Sequence, residues 1–395
     1  MDITNIADLQ QAAKSRLPRT VYTYFHNGGY EEETLRRNRR DLESVALVPR
    51  VLNDVSNRSL AADMAGTPGA MPVGLAPVGA CGLAYPNGEV EAALAAKECG
   101  VPFCLSTLSI ATIEDVAEAT RAPFWFQLYL MKDKSVGEAL VERAKRAGCS
   151  TLVLSMDLHV RSQRHGEQKR GLGAPPRIDL TNIFDVLTHL RWLISMIGSK
   201  RRTFGNLVGL VKNAKRVAHI TRWLEEQFDP TLSVKDIEWA RMRWPGKLLV
   251  KGVMHPEDAR ECIEHGADGV IVSNHGGRQV DGAISTMSTL PSVVEAVAGR
   301  GYVLVDSGIR SGIDVLKMMA LGANGCLIGR AYLYGLAAKG REGVKQALTI
   351  IRNELDQNMA LCGARDITRL PSDLLSRQED SKWQFDWEAG QQSRL

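Results

Sequence analysis

The stretch Ser273-Asn274-His275-Gly276-Gly277-Arg278-Gln279-Val280-Asp281 sets a histidine and an arginine three residues apart on a glycine-rich segment. Two such side chains can converge on one small anion. Arginine gives a carboxylate bidentate recognition, and histidine moves a proton near neutral pH. A glycine turn carrying a solvated arginine and a hydrogen-bonded histidine fits the same spacing. A second stretch, Ser155-Met156-Asp157, has Arg164 seven residues beyond its aspartate. Asp157 can orient His275 and stabilise its imidazolium, or it can cap a turn. Gln127 and Tyr129 add an amide and a phenol, although Tyr129 also suits a rim, and Lys251 adds a fixed cation. Asp306-Ser307-Gly308-Ile309-Arg310 and Ile328-Gly329-Arg330 combine exposed backbone N–H groups with arginines, which suits a phosphate-bearing ligand. Neither GxGxxG nor the Walker pattern GxxxxGK[ST] occurs, so a Rossmann-bound NAD is not indicated. The seven cysteines (Cys81, Cys99, Cys104, Cys149, Cys262, Cys326, Cys362) form no CxxC pair; this argues against a structural zinc site and suits a reducing cytoplasm.

These groups need a frame that gathers them. Eight short apolar runs recur: Pro72–Ala76, Pro102–Ser106, Phe124–Leu128, Thr151–Ser155, Lys247–Lys251, Gly269–Ser273, Tyr302–Asp306 and Gly325–Gly329. Continuous apolar runs describe strands buried on both faces, and the helical stretches between them, such as residues 88–97 and 256–263, permit parallel neighbours. The pattern predicts an α/β fold, a (β/α)₈ barrel, with a doubly wound open sheet as the alternative. In a barrel, chemistry gathers at the C-terminal strand ends, where the groups above lie. The 395 residues are read as one domain: a helical cap over 1–70 without strand-like alternation, a barrel over 71–335, and a C-terminal helix and tail over 336–395. An insertion over 174–240 interrupts the barrel after its fourth strand. A net charge of +4 is too balanced to imply nucleic-acid binding. The N-terminus lacks a signal peptide's apolar core, and no run of 18 apolar residues occurs.

With these residues in view, the chain resembles the FMN-dependent L-2-hydroxy-acid dehydrogenases and oxidases over roughly residues 5–375. Ser273–Gln279 is the most specific match; others are Tyr22-Thr23-Tyr24, Thr34–Asn38, Ala76–Gly79, Leu105–Thr107, Trp125–Tyr129, Val250–Gly252 and Asp306–Arg310. The resemblance is to the membrane-associated, quinone-linked bacterial members, with lactate as the leading substrate and mandelate next. It implies FMN as cofactor and His275 as the base on the substrate's α-carbon side, with Asp157 as its partner. It further implies carboxylate binding by Arg278 and Arg164, with Tyr24 and Tyr129 on the carboxylate or reacting oxygen. Ser106, Gln127, Ser155, Lys251 and Ser273 would contact the isoalloxazine and ribityl portions, while Pro77, Val78 and Gly79 flank the reactive edge. Asp306, Gly308, Arg310, Gly329 and Arg330 would hold the ribityl chain and phosphate. Lys251 would stabilise negative charge on the reduced ring. The chain departs from the family where Ser155 replaces a usual threonine, and in Leu158–Gln163, where a Pro- and Gly-containing approach to the arginine is usual; Glu167 keeps an acid soon after. Gly79 stands where oxidases commonly carry alanine, and Leu108 where some carry a larger aromatic.

Residues 177–217 hold eight Lys/Arg against two acids, a local net of +6, beside apolar residues that include Trp192, Leu193, Ile197, Phe204, Leu207 and Val211. This composition predicts a segment lying in an anionic membrane interface, with Lys200, Arg201 and Arg202 meeting lipid phosphates, or alternatively a hairpin buried on the barrel. The resemblance favours the membrane. It implies a peripheral protein on the cytoplasmic side of the inner membrane, quinone as acceptor and a homotetramer. The alternatives are a soluble oxidase passing electrons to oxygen, and a phosphate-binding barrel without flavin.

Overall fold

The computed structural model describes residues 2–171, 180–211 and 223–377. Among the described residues twelve strands follow one another: β1 (Val45–Leu47), β2 (Ala62–Met64), β3 (Thr67–Gly69), β4 (Val73–Leu75), β5 (Cys104–Ser106), β6 (Trp125–Tyr129), β7 (Thr151–Ser155), β8 (Lys247–Val253), β9 (Gly269–Val272), β10 (Tyr302–Val305), β11 (Gly325–Ile328) and β12 (Leu375–Arg377). β4 to β11 form one eight-stranded sheet in the order β4-β11-β10-β9-β8-β7-β6-β5, and every pairing in it is parallel. A bridge between Leu75 and Phe103 brings β4 to β5 and closes the ring. The fold is therefore the (β/α)₈ barrel, not the open sheet. Each of the eight apolar runs has become a strand, because burial on both faces leaves polar side chains only at the strand ends. Ala76, Trp125, Val153, Leu249, Ile271 and Leu327 fill the interior. Apolar faces of the outer helices pack around it, for example Leu140, Val293 and Leu316.

The cap is helical over Ile6–Arg16, Arg19–His26 and Glu33–Glu43, but it also carries the three short strands β1 to β3, which correct the strandless expectation. Three residues are too few to display alternation, and the partner of β1 is β12, at the far end of the chain. β2 and β3 make a hairpin through Ala65 (φ 53°) and Gly66 (φ 77°), both left-handed as a type I′ turn requires. This hairpin plugs the barrel floor. Met64 is fully buried, and Trp125 Nε1 donates to Thr67 Oγ1 at 3.0 Å.

Part of the interval 174–240 belongs to the barrel itself, since Val234–Arg243 is the helix that precedes β8. Upstream, the helices Leu180–Thr188 and Leu190–Ile197 lie against the cap and the segment after β4. Polar bonds fasten them there: Arg19 N donates to Asp185 Oδ2 at 2.6 Å, Arg16 Nη2 to Ser195 Oγ at 3.3 Å and Trp192 Nε1 to Leu83 O at 2.8 Å. Gly205, Asn206 and Leu207 are buried, with Asn206 Oδ1 accepting from Ile113 N at 2.9 Å. The uniform interfacial segment is thus corrected at five residues. Trp192 turns inward, Leu207 and Val211 are buried, and Lys200 and Arg201 both bond to Asp115. Arg177, Asp179, Lys212, Lys215 and Arg216 lie outside the described residues.

Candidate active site

The reactive loop leaves β9 under backbone constraint. His275 (φ 58°), Gly276 (φ 68°) and Gly277 (φ 71°) are successive left-handed residues, a conformation that costs a non-glycine residue about 1–3 kcal/mol. Glycine is required at 277, where a Cβ would lie 2.6 Å from Leu35 N. Backbone N–H groups of the loop are taken up locally: His275 N by Ser273 Oγ at 3.1 Å and Gly276 N by Ser307 Oγ at 3.0 Å. Asn38 and Asn274 exchange amide bonds at 2.9 and 2.7 Å, tying the loop to the cap. The strain is held by the surroundings, and it aims the imidazole at the barrel mouth.

Asp157 Oδ2 lies 2.9 Å from His275 Nδ1. An ionised carboxylate only accepts, so Nδ1 carries the proton and Nε2 is left with its lone pair. Nε2 faces the cavity, 3.4 Å from the Tyr129 hydroxyl. Gly252 makes this pairing possible, because at φ 103° a Cβ there would lie 2.4 Å from Asp157 Cβ. Burial pushes the Asp157 carboxyl up, but the His275 ring, their hydrogen bond and Lys251 outweigh it and hold the group below the usual carboxylate range. Its other oxygen, Oδ1, is buried with no hydrogen-bond partner.

A cluster of guanidinium groups faces the histidine. Arg278 donates from Nη1 to the carbonyls of Tyr24 and Asn27 at 2.7 and 2.9 Å, and from Nη2 to Glu167 Oε1 at 2.9 Å. Arg164 Nη1 lies 3.2 Å from the same Glu167 oxygen, and Arg164 Nε is buried without a partner. Burial, then repulsion from Arg164, bring the Arg278 guanidinium down to about 10 despite Glu167. The group stays protonated at neutral pH but is incompletely compensated. A substrate carboxylate fits that deficit.

The floor of the cavity is a polar chain. Lys251 Nζ donates to Ser273 Oγ at 2.7 Å and pairs with Asp306 at 3.0 Å. Burial disfavours its charge, but Asp306 and Asp157 outweigh this and raise its pKa. Ser106 Oγ donates to Gln127 Oε1 at 3.2 Å, and Gln127 Nε2 to Ser155 Oγ at 3.1 Å. At the far end Arg310 and Arg330 sit together; burial, Arg278 and Arg310 lower Arg330 to about 9. Arg330 also ties the helix Arg19–His26 to the reactive loop, donating to the carbonyls of Phe25, Asn27 and Gly276 at 3.0, 2.9 and 2.8 Å.

All the singled-out residues meet in one place. Tyr24, Pro77, Val78, Gly79, Ser106, Tyr129, Arg164, Lys251, His275, Arg278, Asp306, Gly308, Arg310, Gly329 and Arg330 line a single cavity of about 260 Å³. Gln127, Ser155, Asp157 and Ser273 stand directly behind them, bonded to the lining residues or to one another. Sequence reasoning gave too little weight to Glu167, which is buried and shared by Arg161, Arg164 and Arg278. It also missed Leu224 and Phe228, which reach the cavity from the insertion to face Leu108 and Leu158. A buried acid three residues after Arg164 was the available signal for Glu167; no sequence signal joins residues 224–228 to the mouth. Among the described residues there is no metal-binding group of His, Cys, Asp and Glu.

The cavity fits a flavin mononucleotide in its chemistry. A buried Arg330 and a partly buried Arg310 that repel each other at one end call for a phosphate, while a buried lysine and the Ser106–Gln127–Ser155 chain offer partners to a polar ring system.

Comparison with known proteins agrees with this fit. Residues 13–377 match the FMN-dependent dehydrogenase family. The chain is 43% identical over 380 residues to an L-lactate dehydrogenase of Ectopseudomonas mendocina (strain ymp), covering 96% of this chain and 100% of that protein. Among solved structures, the monotopic membrane protein (S)-mandelate dehydrogenase superposes with a TM-score of 0.91 at 37% identity, over 96% of this chain and 100% of that one. A mandelate oxidase does so with a TM-score of 0.80 at 32% identity, over 95% and 98%.

Proposed function

Because the chain belongs to the FMN-dependent dehydrogenase family, we propose that it oxidises L-lactate to the 2-oxo acid at the cavity described above and passes the electrons to a membrane quinone. The observation that carries the chemistry is the convergence of His275 Nε2, backed by Asp157, with Arg278 and Arg164 on one cavity. FMN, when bound, supplies the two-electron acceptor. Pro77, Val78, Gly79, Ser106, Gln127, Ser155, Lys251 and Ser273 would hold its ring and upper ribityl portion, and Asp306, Gly308, Arg310, Gly329 and Arg330 its lower chain and phosphate. Arg278 and Arg164 clamp the substrate carboxylate, with Tyr24 and Tyr129 completing the seat. Held there, the substrate presents its α-carbon side to His275 Nε2, which takes the proton. Asp157 stabilises the imidazolium that results. Lys251 is a fixed cation beside the ring and favours negative charge developing there.

The side-chain end of the cavity supports mandelate as the second substrate, since Leu108, Leu158, Leu224 and Phe228 form an apolar wall that suits a phenyl group.

The quinone and the membrane are supported by one surface. Ile183, Phe184, Leu187, Leu190, Ile194 and Ile197 are between 45% and 70% exposed on the two insertion helices. Six large apolar side chains on one outward face suit the acyl boundary of a lipid surface. Among the described residues no helix is long and apolar enough to cross a membrane. The tetramer belongs to the same proposal: Val51, Leu52 and Leu361 make a separate exposed apolar group, with Arg50 N bonded to Leu361 O.

The deciding experiment is anaerobic flavin bleaching with a panel of L-2-hydroxy acids, followed by reoxidation with quinone or with air. Fast bleaching by lactate and fast reoxidation by quinone support the proposal. Fast reoxidation by air with none by quinone replaces it with the oxidase, and no flavin absorption at all refutes it.

A further inference from the structure

A second cavity of about 520 Å³ opens beside the catalytic one, and the two share Arg161, Arg164, Glu225 and Phe228 as a common wall. The outer cavity adds Lys132 and His159. Arg161 stands at the partition. Its Nη1 donates to Glu225 Oε1 at 2.8 Å, and its Nη2 lies 3.8 Å from Glu167 Oε2. The pair joins the loop after β7 to the helical residues 223–227 of the insertion, so it bridges two segments that otherwise border the opening from different sides. Both partners are partly exposed, Arg161 at 33% and Glu225 at 40%. An ion pair so exposed is weakly held, because solvent screens it and two flexible side chains must be ordered to keep it. Glu167, by contrast, is 2% exposed and already serves Arg164 and Arg278. Arg161 is therefore the most exposed of three guanidinium groups gathered around Glu167, and the one whose other carboxylate partner is most easily replaced.

We propose that the outer cavity is an anion-collecting antechamber: Arg161 exchanges Glu225 for the carboxylate of the incoming 2-hydroxy acid and delivers it to Arg164 and Arg278. The inference rests on the 2-hydroxy-acid chemistry proposed above. Arg164 lines both cavities, so the carboxylate moves from one guanidinium to the next without crossing an apolar gap. Glu225 is displaced only at the first step and returns to Arg161 as the substrate moves on, while Glu167 stays with Arg164 and Arg278 and the carboxylate fills the charge deficit that remains there. Lys132, Arg161 and Arg164 outnumber Glu167 and Glu225 in the outer lining, which leaves a positive potential to gather anions from solution.

The test is anaerobic stopped-flow flavin reduction of the FMN-loaded enzyme by L-lactate. Arg161→Gln should lower the second-order rate constant at low substrate roughly three- to tenfold and flatten its dependence on NaCl, as loss of a rim charge does. The limiting rate at saturating substrate should stay within about twofold, because the carboxylate seat and His275 are untouched. Glu225→Gln should raise the second-order constant by freeing Arg161. The proposal is overturned if Arg161→Gln leaves that constant and its salt dependence unchanged. Equal loss in both rates overturns it too, because the residue is then structural, as does a slower Glu225→Gln enzyme. A wild-type flavin that no L-2-hydroxy acid bleaches removes the chemistry itself, and that failure shows before any variant is made.

Discussion

Replacing Asp157 by asparagine tests the catalytic geometry most directly, because it keeps the side chain's shape and removes its charge. The side chain cannot swing clear, since the Gly252 backbone stands against it and His275 Nδ1 lies 2.9 Å from Oδ2. Two orientations of the amide remain. With its oxygen towards Nδ1–H the imidazole keeps its tautomer, but the charge-assisted bond that stabilises the imidazolium becomes a neutral one. Hydrogen bonds to charged groups contribute about 1.5–3 kcal/mol and neutral ones about 0.5–1.5 kcal/mol, so the difference of about 1–1.5 kcal/mol, at about 1.36 kcal/mol per decade, is a loss of roughly tenfold in rate. With its nitrogen towards Nδ1 the ring must accept there, and the proton moves to Nε2, the atom that has to be empty. That arrangement extends the loss to about 10⁴-fold, the scale of the same substitution in hydrolytic triads. The limiting rate of flavin reduction by L-lactate, followed anaerobically by absorbance, should therefore fall between roughly 10- and 10⁴-fold. Substrate affinity should change little, since Arg278 and Arg164 are bonded to Glu167 and not to Asp157. A limiting rate within about threefold of wild type, at unchanged FMN content, would show that His275 does not act as the base with Asp157 behind it.

Three further substitutions probe separate parts of the structure. Arg278→Lys keeps the charge but loses the fork that now spans the Tyr24 and Asn27 carbonyls and Glu167, so steady-state assay should show KM raised and kcat lowered together. Lys251→Met leaves Asp306 buried without its 3.0 Å partner, and urea titration should show about 3–5 kcal/mol of lost stability along with reduced FMN content. Asp115 is held below the usual carboxylate range, because the bonds from Arg201 and Lys200 outweigh the burial that raises it. A depressed folded-state pKa stabilises the fold fully above the ordinary aspartate value of about 3.9 and loses that contribution as pH falls through the folded value. Proteolysis between the helix Leu190–Ile197 and Gly205 should accordingly accelerate below about pH 4 in the wild type, and at neutral pH in Asp115→Asn.

Much of the site can be read from the chain because most barrel strands end in a short polar signature. Ser155-Met156-Asp157, Val250-Lys251-Gly252 and Ser273–Arg278 name their reactive groups, and parallel closure brings the strand ends together whatever the outer helices contain. The hidden features depend on partners distant in sequence. β1 is three residues long and is a strand only because β12 pairs with it. Glu167 looks like an isolated acid after an arginine until the fold sets Arg278 and Arg161 against it. Leu224 and Phe228 carry no motif, and they reach the cavity only because the insertion doubles back over the mouth.

The insertion shows why composition alone could not fix its orientation. Its basic flank and apolar residues suit a membrane-facing helix or a barrel-facing hairpin, and the structure bonds one part of the segment to the barrel and leaves another part exposed. Arg16, Arg19, Leu83 and Asp115 supply the partners that draw Ser195, Asp185, Trp192, Lys200 and Arg201 onto the barrel. Once those polar groups are bound, the helices cannot turn over without breaking every one of these bonds. Phe184, Leu187, Ile194 and Ile197 are then fixed outward. The same bonds that occupy two cations thus hold the apolar face outward beside the segment that follows β4. Under the proposed function, that exposed face is where a hydrophobic electron acceptor dissolved in lipid would meet the protein.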